Sequence, residues 1–353
     1  MSSLGSFIRS PIGAQELRDI LLLRGSHFYR NDSKCFTSKS GSKIFLRLAL
    51  FRSPVVMCLL LLLTKLGACP AFGQFFSGGD SSKRIVFSAN VEGNWDLFVV
   101  DEDGRNVVRL TKIPYDENTP AWSPSREEII YASSDGELNI ISVENKESRR
   151  VLVKGKEGKK VEPSFSPDGK SIIFVHLKPG AMDDTEVCTY DLEKGSSRTV
   201  IDQCGTQYFP QWSKGNGQVV YTHTQCSSGC GHLIQELWVA DPRGGDARQL
   251  LMTNSLCTHP IWSPDGRKVA FTSDKTGNLD IWTYSVEDSR LEQVTKDPNL
   301  DASPAWSSDG SKIAFISARS GKMGIWVKDL ATGREDAINP FPGKDVECKD
   351  VAW

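Results

Sequence analysis

The most constraining feature of this chain is a self-similar unit that returns every forty to fifty residues. It reads Pro-x-aromatic-Ser-Pro-Asp-Gly followed by an apolar run. The copies are Pro120-Ala-Trp122-Ser-Pro-Ser125, Pro163-Ser-Phe165-Ser-Pro-Asp-Gly169, Pro210-Gln-Trp212-Ser-Lys-Gly215, Pro260-Ile-Trp262-Ser-Pro-Asp-Gly266 and Pro304-Ala-Trp306-Ser-Ser-Asp-Gly310. The aromatic positions are 43, 47, 50 and 44 residues apart, room for four short strands and their turns. Periods of that length mean stacked or radial repeat architectures, and this one fits a propeller blade.

Each unit repeats a four-strand pattern. The Pro-x-Trp strand ends at Asp-Gly, where Gly tolerates positive φ and Asp bonds its own backbone. A strongly apolar second strand follows, as in Ile172-Ile-Phe174, Val269-Ala-Phe271 and Ile313-Ala-Phe315. A third alternates with period two, as in Asp280-Ile-Trp-Thr-Tyr-Ser285 and Gly324-Ile-Trp-Val-Lys-Asp329. A short outer strand such as Leu291–Thr295 ends the blade.

The two ends of the repeat region complement each other. Arg84–Ser88, Asp96–Asp101 and Val107–Thr111 read as second, third and fourth strands without a first. Asp350-Val-Ala-Trp353 reads as a first strand with nothing after it, 47 residues beyond Trp306. The sequence therefore predicts an all-β fold: a six-bladed β-propeller of four-stranded antiparallel blades. Its ring is closed by the C-terminal strand Asp350–Trp353 joining the N-terminal blade, which pairs edges that would otherwise invite aggregation.

Charge separates this body, residues 81–353, from a leader, residues 1–80. Residues 1–73 carry ten Lys/Arg against three acids, a charge of +7, and the rest carries −9. The leader is basic, Ser-rich and mostly disordered by composition. Within it Pro54–Leu63 is an apolar run behind Lys43, Arg47 and Arg52, of signal-peptide length and cut short of a membrane span by Lys65. Export is expected, to the extracellular space or a periplasm-like compartment. A membrane anchor at 54–63 or an organellar leader is the alternative. The acidic body disfavours nucleic acid, and a membrane would be met only through an uncleaved leader.

The run from Pro304 to Phe315, then Ser317-Ala-Arg-Ser-Gly321 and Ile325-Trp326, resembles the repeat of TolB-type six-bladed propellers, over roughly residues 82–353. The blades also resemble the propellers of dipeptidyl-peptidase-IV-type enzymes, which carry a separate α/β-hydrolase domain. No Gly-x-Ser-x-Gly occurs here to serve such a domain. The TolB resemblance implies a periplasmic interaction protein. TolB-type proteins have an additional N-terminal domain that residues 1–80 do not resemble, so their particular partners are not implied.

The chemistry is sparse. Acidic turns such as Asp101-Glu-Asp-Gly104 read as hairpin chemistry rather than calcium loops, because the position recurs with a single acid in other blades. The tryptophans recur once per blade, as packing between twisted sheets requires. Outside the leader the cysteines are Cys188, Cys204, Cys226, Cys230, Cys257 and Cys348. Cys204, Cys226, Cys230 and Cys257 fall in loops on one edge of one face and are disulfide candidates. Zinc on Cys226, Cys230, His232 or His259 is a competing reading, with free thiols a third.

No catalytic constellation stands out, and neither a metal nor a cofactor is expected. The blade-joining loops place Tyr115, Asp116, Glu117, Lys160, Gln207, Tyr208, His259 and Asp301 ahead of the innermost strands, hence near the channel mouth. Loops on a rigid scaffold carry a propeller's variable function. The expected function is a non-enzymatic scaffold offering that face to a protein or a small polar or glycan ligand. The alternative is a polysaccharide-active hydrolase or lyase using the channel-mouth acids.

Overall fold

A computed structural model of the chain describes residues 80–180, 184–225 and 234–353. They form six four-stranded antiparallel sheets. Blade one pairs Cys348–Ala352 with Arg84–Val91, Asn94–Asp101 and Val108–Arg109. The closing strand predicted from Trp353 is therefore present, two residues longer at its start than the sequence suggests. Blades two to five have inner strands Glu117–Trp122, Lys159–Phe165, Thr206–Trp212 and Cys257–Trp262. Blade six runs Asp301–Trp306, Lys312–Ser317, Gly324–Asp329 and Glu335–Ile338.

The second strands are apolar on both faces because each sheet is covered on both sides. In blade one, Ile85 and Phe87 pack against blade six, whereas Val86 packs against blade two. In blade two, Ile129 and Tyr131 face blade one, while Ile130 and Ala132 face blade three. The buried apolar residues fall into six clusters, one at each junction between neighbouring blades. The junction joining blades six and one includes Cys348 and Val351, so the C-terminal strand is part of the core.

Turn chemistry follows the repeat. In blade three Gly169 N donates to Ser166 O (2.9 Å), Ser166 Oγ donates to Asp168 (2.5 Å), and Gly169 takes φ 71°. Asp103 likewise accepts from Arg105 N (3.0 Å), which leaves the Asp101–Gly104 segment an ordinary turn. The inner-strand tryptophans bridge blades: Trp122 Nε1 donates to Ala352 O and Trp306 Nε1 to Ile261 O, each at 3.3 Å.

Candidate functional site

The third residue from each inner strand's buried start breaks the pleat. Register shifts lie between Asn118 and Ala121, Val161 and Ser164, Tyr208 and Gln211, Thr258 and Ile261, and Ala302 and Ala305. At each shift one non-glycine residue is left-handed: Thr119 (φ 48°), Glu162 (53°), Phe209 (53°), His259 (52°) and Ser303 (55°). Asp350 (53°) completes the ring in the closing strand. Such residues cost about 1–3 kcal/mol each and persist only where their surroundings hold them. Proline follows in five blades, at a bulge where no ladder N–H is needed. All six left-handed residues line a cavity of about 390 Å³ on the propeller axis.

The bulges turn main-chain amides away from the ladder, and the neighbouring blade satisfies several. Asp350 Oδ2 accepts from Thr119 N at 3.3 Å, and Glu162 Oε2 accepts from Phe209 N at 2.6 Å. Thr272 Oγ1 accepts from Ser303 N at 3.0 Å. Phe209 stacks on His259 with ring centres 3.8 Å apart. Burial pushes the Glu162 carboxyl up to about 8 against the pull of the Phe209 N–H, and Asp350 adds to the rise.

Below the ring lie Trp122, Phe165, Trp212, Trp262, Trp306 and Trp353. The far end, at the Ser-Pro turns, carries Pro124, Pro167 and Pro264 together with Arg126 and Lys214. The cavity thus has acids at one end, aromatic walls, and cations at the other.

Of the residues expected near the channel mouth, only His259 lines this cavity. Glu117, Lys160, Gln207 and Asp301 share one repeat position, two residues before the ring, and are buried between blades. Glu117 Oε2 accepts from Thr111 Oγ1 (2.8 Å), and burial pushes this carboxyl up to about 8. Lys160 pairs with Glu137 (3.1 Å), Gln207 Nε2 donates to Gln203 O (2.9 Å), and Asp301 accepts from Arg319 Nη2 (2.6 Å). Asp116 Oδ1 accepts from Trp95 N at 3.1 Å, Tyr208 is half-buried beside Phe209, and Tyr115 is exposed. The site therefore rests on Thr119, Glu162, Phe209, Ser303, Asp350, Arg126 and Lys214 besides His259. The sequence signal for the ring is the repeat proline, which marks the bulge; the residue before it is Thr119, Glu162, Phe209, His259 or Ser303, different in each blade.

The two buried glutamates fix a pH dependence. Their folded-state values lie above the unfolded value, so their contribution to stability is lost as pH rises from about 4.5 towards 8. Replacing both Glu117 and Glu162 by Gln is expected to flatten that slope. Urea unfolding at about pH 5 and about pH 7.5 checks it: the variant gains at the higher pH by on the order of 2 kcal/mol or more.

Cys226 and Cys230 lie outside the described residues, as does His232. Among the described residues Cys188, Cys204, Cys257 and Cys348 are free thiols and no disulfide is formed. Cys257 is buried in the core cluster between blades four and five, with Thr253 Oγ1 3.0 Å from its thiol. His176, Glu186 and Cys188 bring three potential metal ligands within 4.8 Å of one another. Lys156 already bonds to Glu186, and the His176 ring contacts both Glu186 and the Glu157 carbonyl. Burial lifts the Cys188 thiol to about 11, so the trio is an ion-pair network closed by Lys156.

The chain matches the family described as TolB beta propeller domain over residues 78–230 and 183–340. It is 26% identical over 210 residues to the Tol-Pal system protein TolB of Francisella tularensis subsp. mediasiatica, covering 57% of this chain and 46% of that protein. The chain thus spans about half the length of the curated relatives it matches. Among solved structures it is similar to TolB from Acinetobacter baumannii (TM-score 0.65, 21% identity, 78% of this chain and 67% of that one). An oligogalacturonate lyase in complex with manganese shares the fold (TM-score 0.52, 17% identity, 72% and 73%).

Proposed function

The chain belongs to the TolB beta-propeller domain family, and from that premise we propose that it is a non-enzymatic binding scaffold whose central channel receives part of a protein partner. The observation that supports this is the ring of six left-handed residues. Strain kept at one repeat position in every blade is spent on presenting variable side chains to a common cavity. The acids that a polysaccharide-cleaving reading would use, Asp116 and Asp301, are hydrogen-bonded to Trp95 N and to Arg319. Export to an extracytoplasmic compartment agrees with the apolar run 54–63 and its preceding basic residues. N-terminal sequencing of the mature protein checks it, and a start upstream of Ile44 refutes the cleavage model.

A benzophenone side chain at position 259, inside the cavity, is expected to cross-link one partner in the cells that make the protein. The same probe at the exposed Glu193 turn should not. Equal adducts from both positions, or turnover of a purified polysaccharide by the wild-type protein, overturn the reading.

A further inference from the structure

We propose that the turn-side end of the channel is an anion subsite, in which Lys214 and Arg126 hold a carboxylate or phosphate group of the molecule that occupies the channel. This rests on the channel being the binding site and assigns it a chemistry.

The argument starts from the repeat. Three blades end their inner strand in a turn whose third residue is an acid and whose fourth is a left-handed glycine: Asp168-Gly169, Asp265-Gly266 and Asp309-Gly310. Two blades depart from it. Blade two has Ser125-Arg126 in place of Asp-Gly, and blade four has Lys214-Gly215 in place of Pro-Asp. Each departure removes a negative charge and adds a positive one. Both new cations line the same cavity.

The first of these cations is not placed cheaply. Arg126 occupies the glycine position with φ 61°, a conformation costing a non-glycine residue about 1 kcal/mol or more. It stacks on Trp122, 4.2 Å from the ring centre, and gives Nε to Ser81 O (2.7 Å) and Nη2 to Arg84 O (2.6 Å). Those acceptors are neutral. Arg84 adds like charge behind it, and Asp80 is the acid that acts on it. Lys214 Nζ has no hydrogen bond or ion pair among the described residues. Lys214 lines the turn-side end of the cavity together with Pro124, Pro167 and Pro264. Lys214 is exposed at its turn, yet the protein packed around it and the nearby Arg126 both disfavour its charge. The two like charges line one end of a cavity whose own carboxylates, Glu162 and Asp350, belong to the bulge ring at the other end, so an incoming anion at the turn side would meet both cations.

Arg126 alone could be a strut for the Ser81–Arg84 segment. Lys214 holds nothing, so the test reads Lys214. Reductive ¹³C-methylation of the full chain gives each lysine an NMR signal, and Lys214→Arg identifies the one to follow. Acetate and inorganic phosphate serve as separate probes, and whichever binds names the group. A saturable shift of the Lys214 signal is expected, well beyond that of the exposed Lys146, which reports ordinary screening. Arg126→Gly, which restores the residue of three other blades, should weaken the apparent affinity about tenfold, and Arg126→Lys should weaken it less. If the Lys214 signal moves no more than that of Lys146 with either probe, the subsite is refuted. In that outcome a persisting cross-link at position 259 leaves the channel reading standing, and its loss removes both.

Discussion

Deleting Cys348–Trp353 is expected to abolish cooperative folding, the largest effect any short change in this chain should have. These residues supply the inner strand of blade one. Cys348 and Val351 lie in the cluster that joins blades six and one, Asp350 caps the Thr119 amide, and Ala352 O accepts from Trp122 Nε1. Without them the Arg84–Val91 strand becomes an exposed edge, and two of the six junctions lose partners at once. The loss should appear as a broad, non-cooperative melt and dye binding to exposed apolar surface. A permuted chain tests whether the cause is the open ring rather than the missing residues. Trp353 is joined to Asp80 by a short linker and new ends are cut in the exposed turn at Glu144–Lys146. That protein should melt cooperatively. A truncated chain that melts within a few degrees of the full one refutes the closure argument.

The ring was readable because its determinants recur: the proline in five blades, an inner-strand aromatic in all six and the Asp-Gly turn in three leave little freedom in where strands begin and turn. Its closure was readable from Trp353 for the same reason. The site was not. Glu117, Lys160, Gln207 and Asp301 were expected at the channel mouth because their loops precede the inner strands. Period-two alternation says nothing of the bulge two residues later, where a left-handed residue swings its side chain onto the axis. Glu162 and Phe209 reach the cavity by that bulge, although their types are ordinary for a strand. Arg126 and Lys214 stood in plain view as departures from Ser-Pro-Asp-Gly. Their meaning needed the structure, because only there do blades two and four share a cavity.

Replacing Arg319 by Met is expected to cost about 3–5 kcal/mol at neutral pH, the range for stripping one partner from a buried ion pair. The Arg319 side chain is only 8% exposed and sits among Asp301, Asp297 and Glu335, with Ser317 Oγ accepting from its Nε at 3.0 Å. It also covers the rings of Phe315 and Trp326 at 5.3 and 4.7 Å, which Met continues to pack against. The cost is therefore chiefly electrostatic. Asp301 is fully buried, and burial already holds its carboxyl above the ordinary value despite Ser317 and Arg319. Without the guanidinium it rises further. A folded-state value above the unfolded one means stability lost as pH rises, so the deficit of Arg319→Met should grow from about pH 4 to about pH 8. Adding Asp301→Asn should recover part of it at the higher pH and little at the lower. A deficit that is small and flat with pH, measured by urea unfolding, would show that Asp301 does not depend on Arg319. The distinction bears on function. An activity or binding loss in Asp301→Asn alone is, on this structure, a consequence of a disturbed blade-six network, because Asp301 lies between blades five and six and does not line the channel.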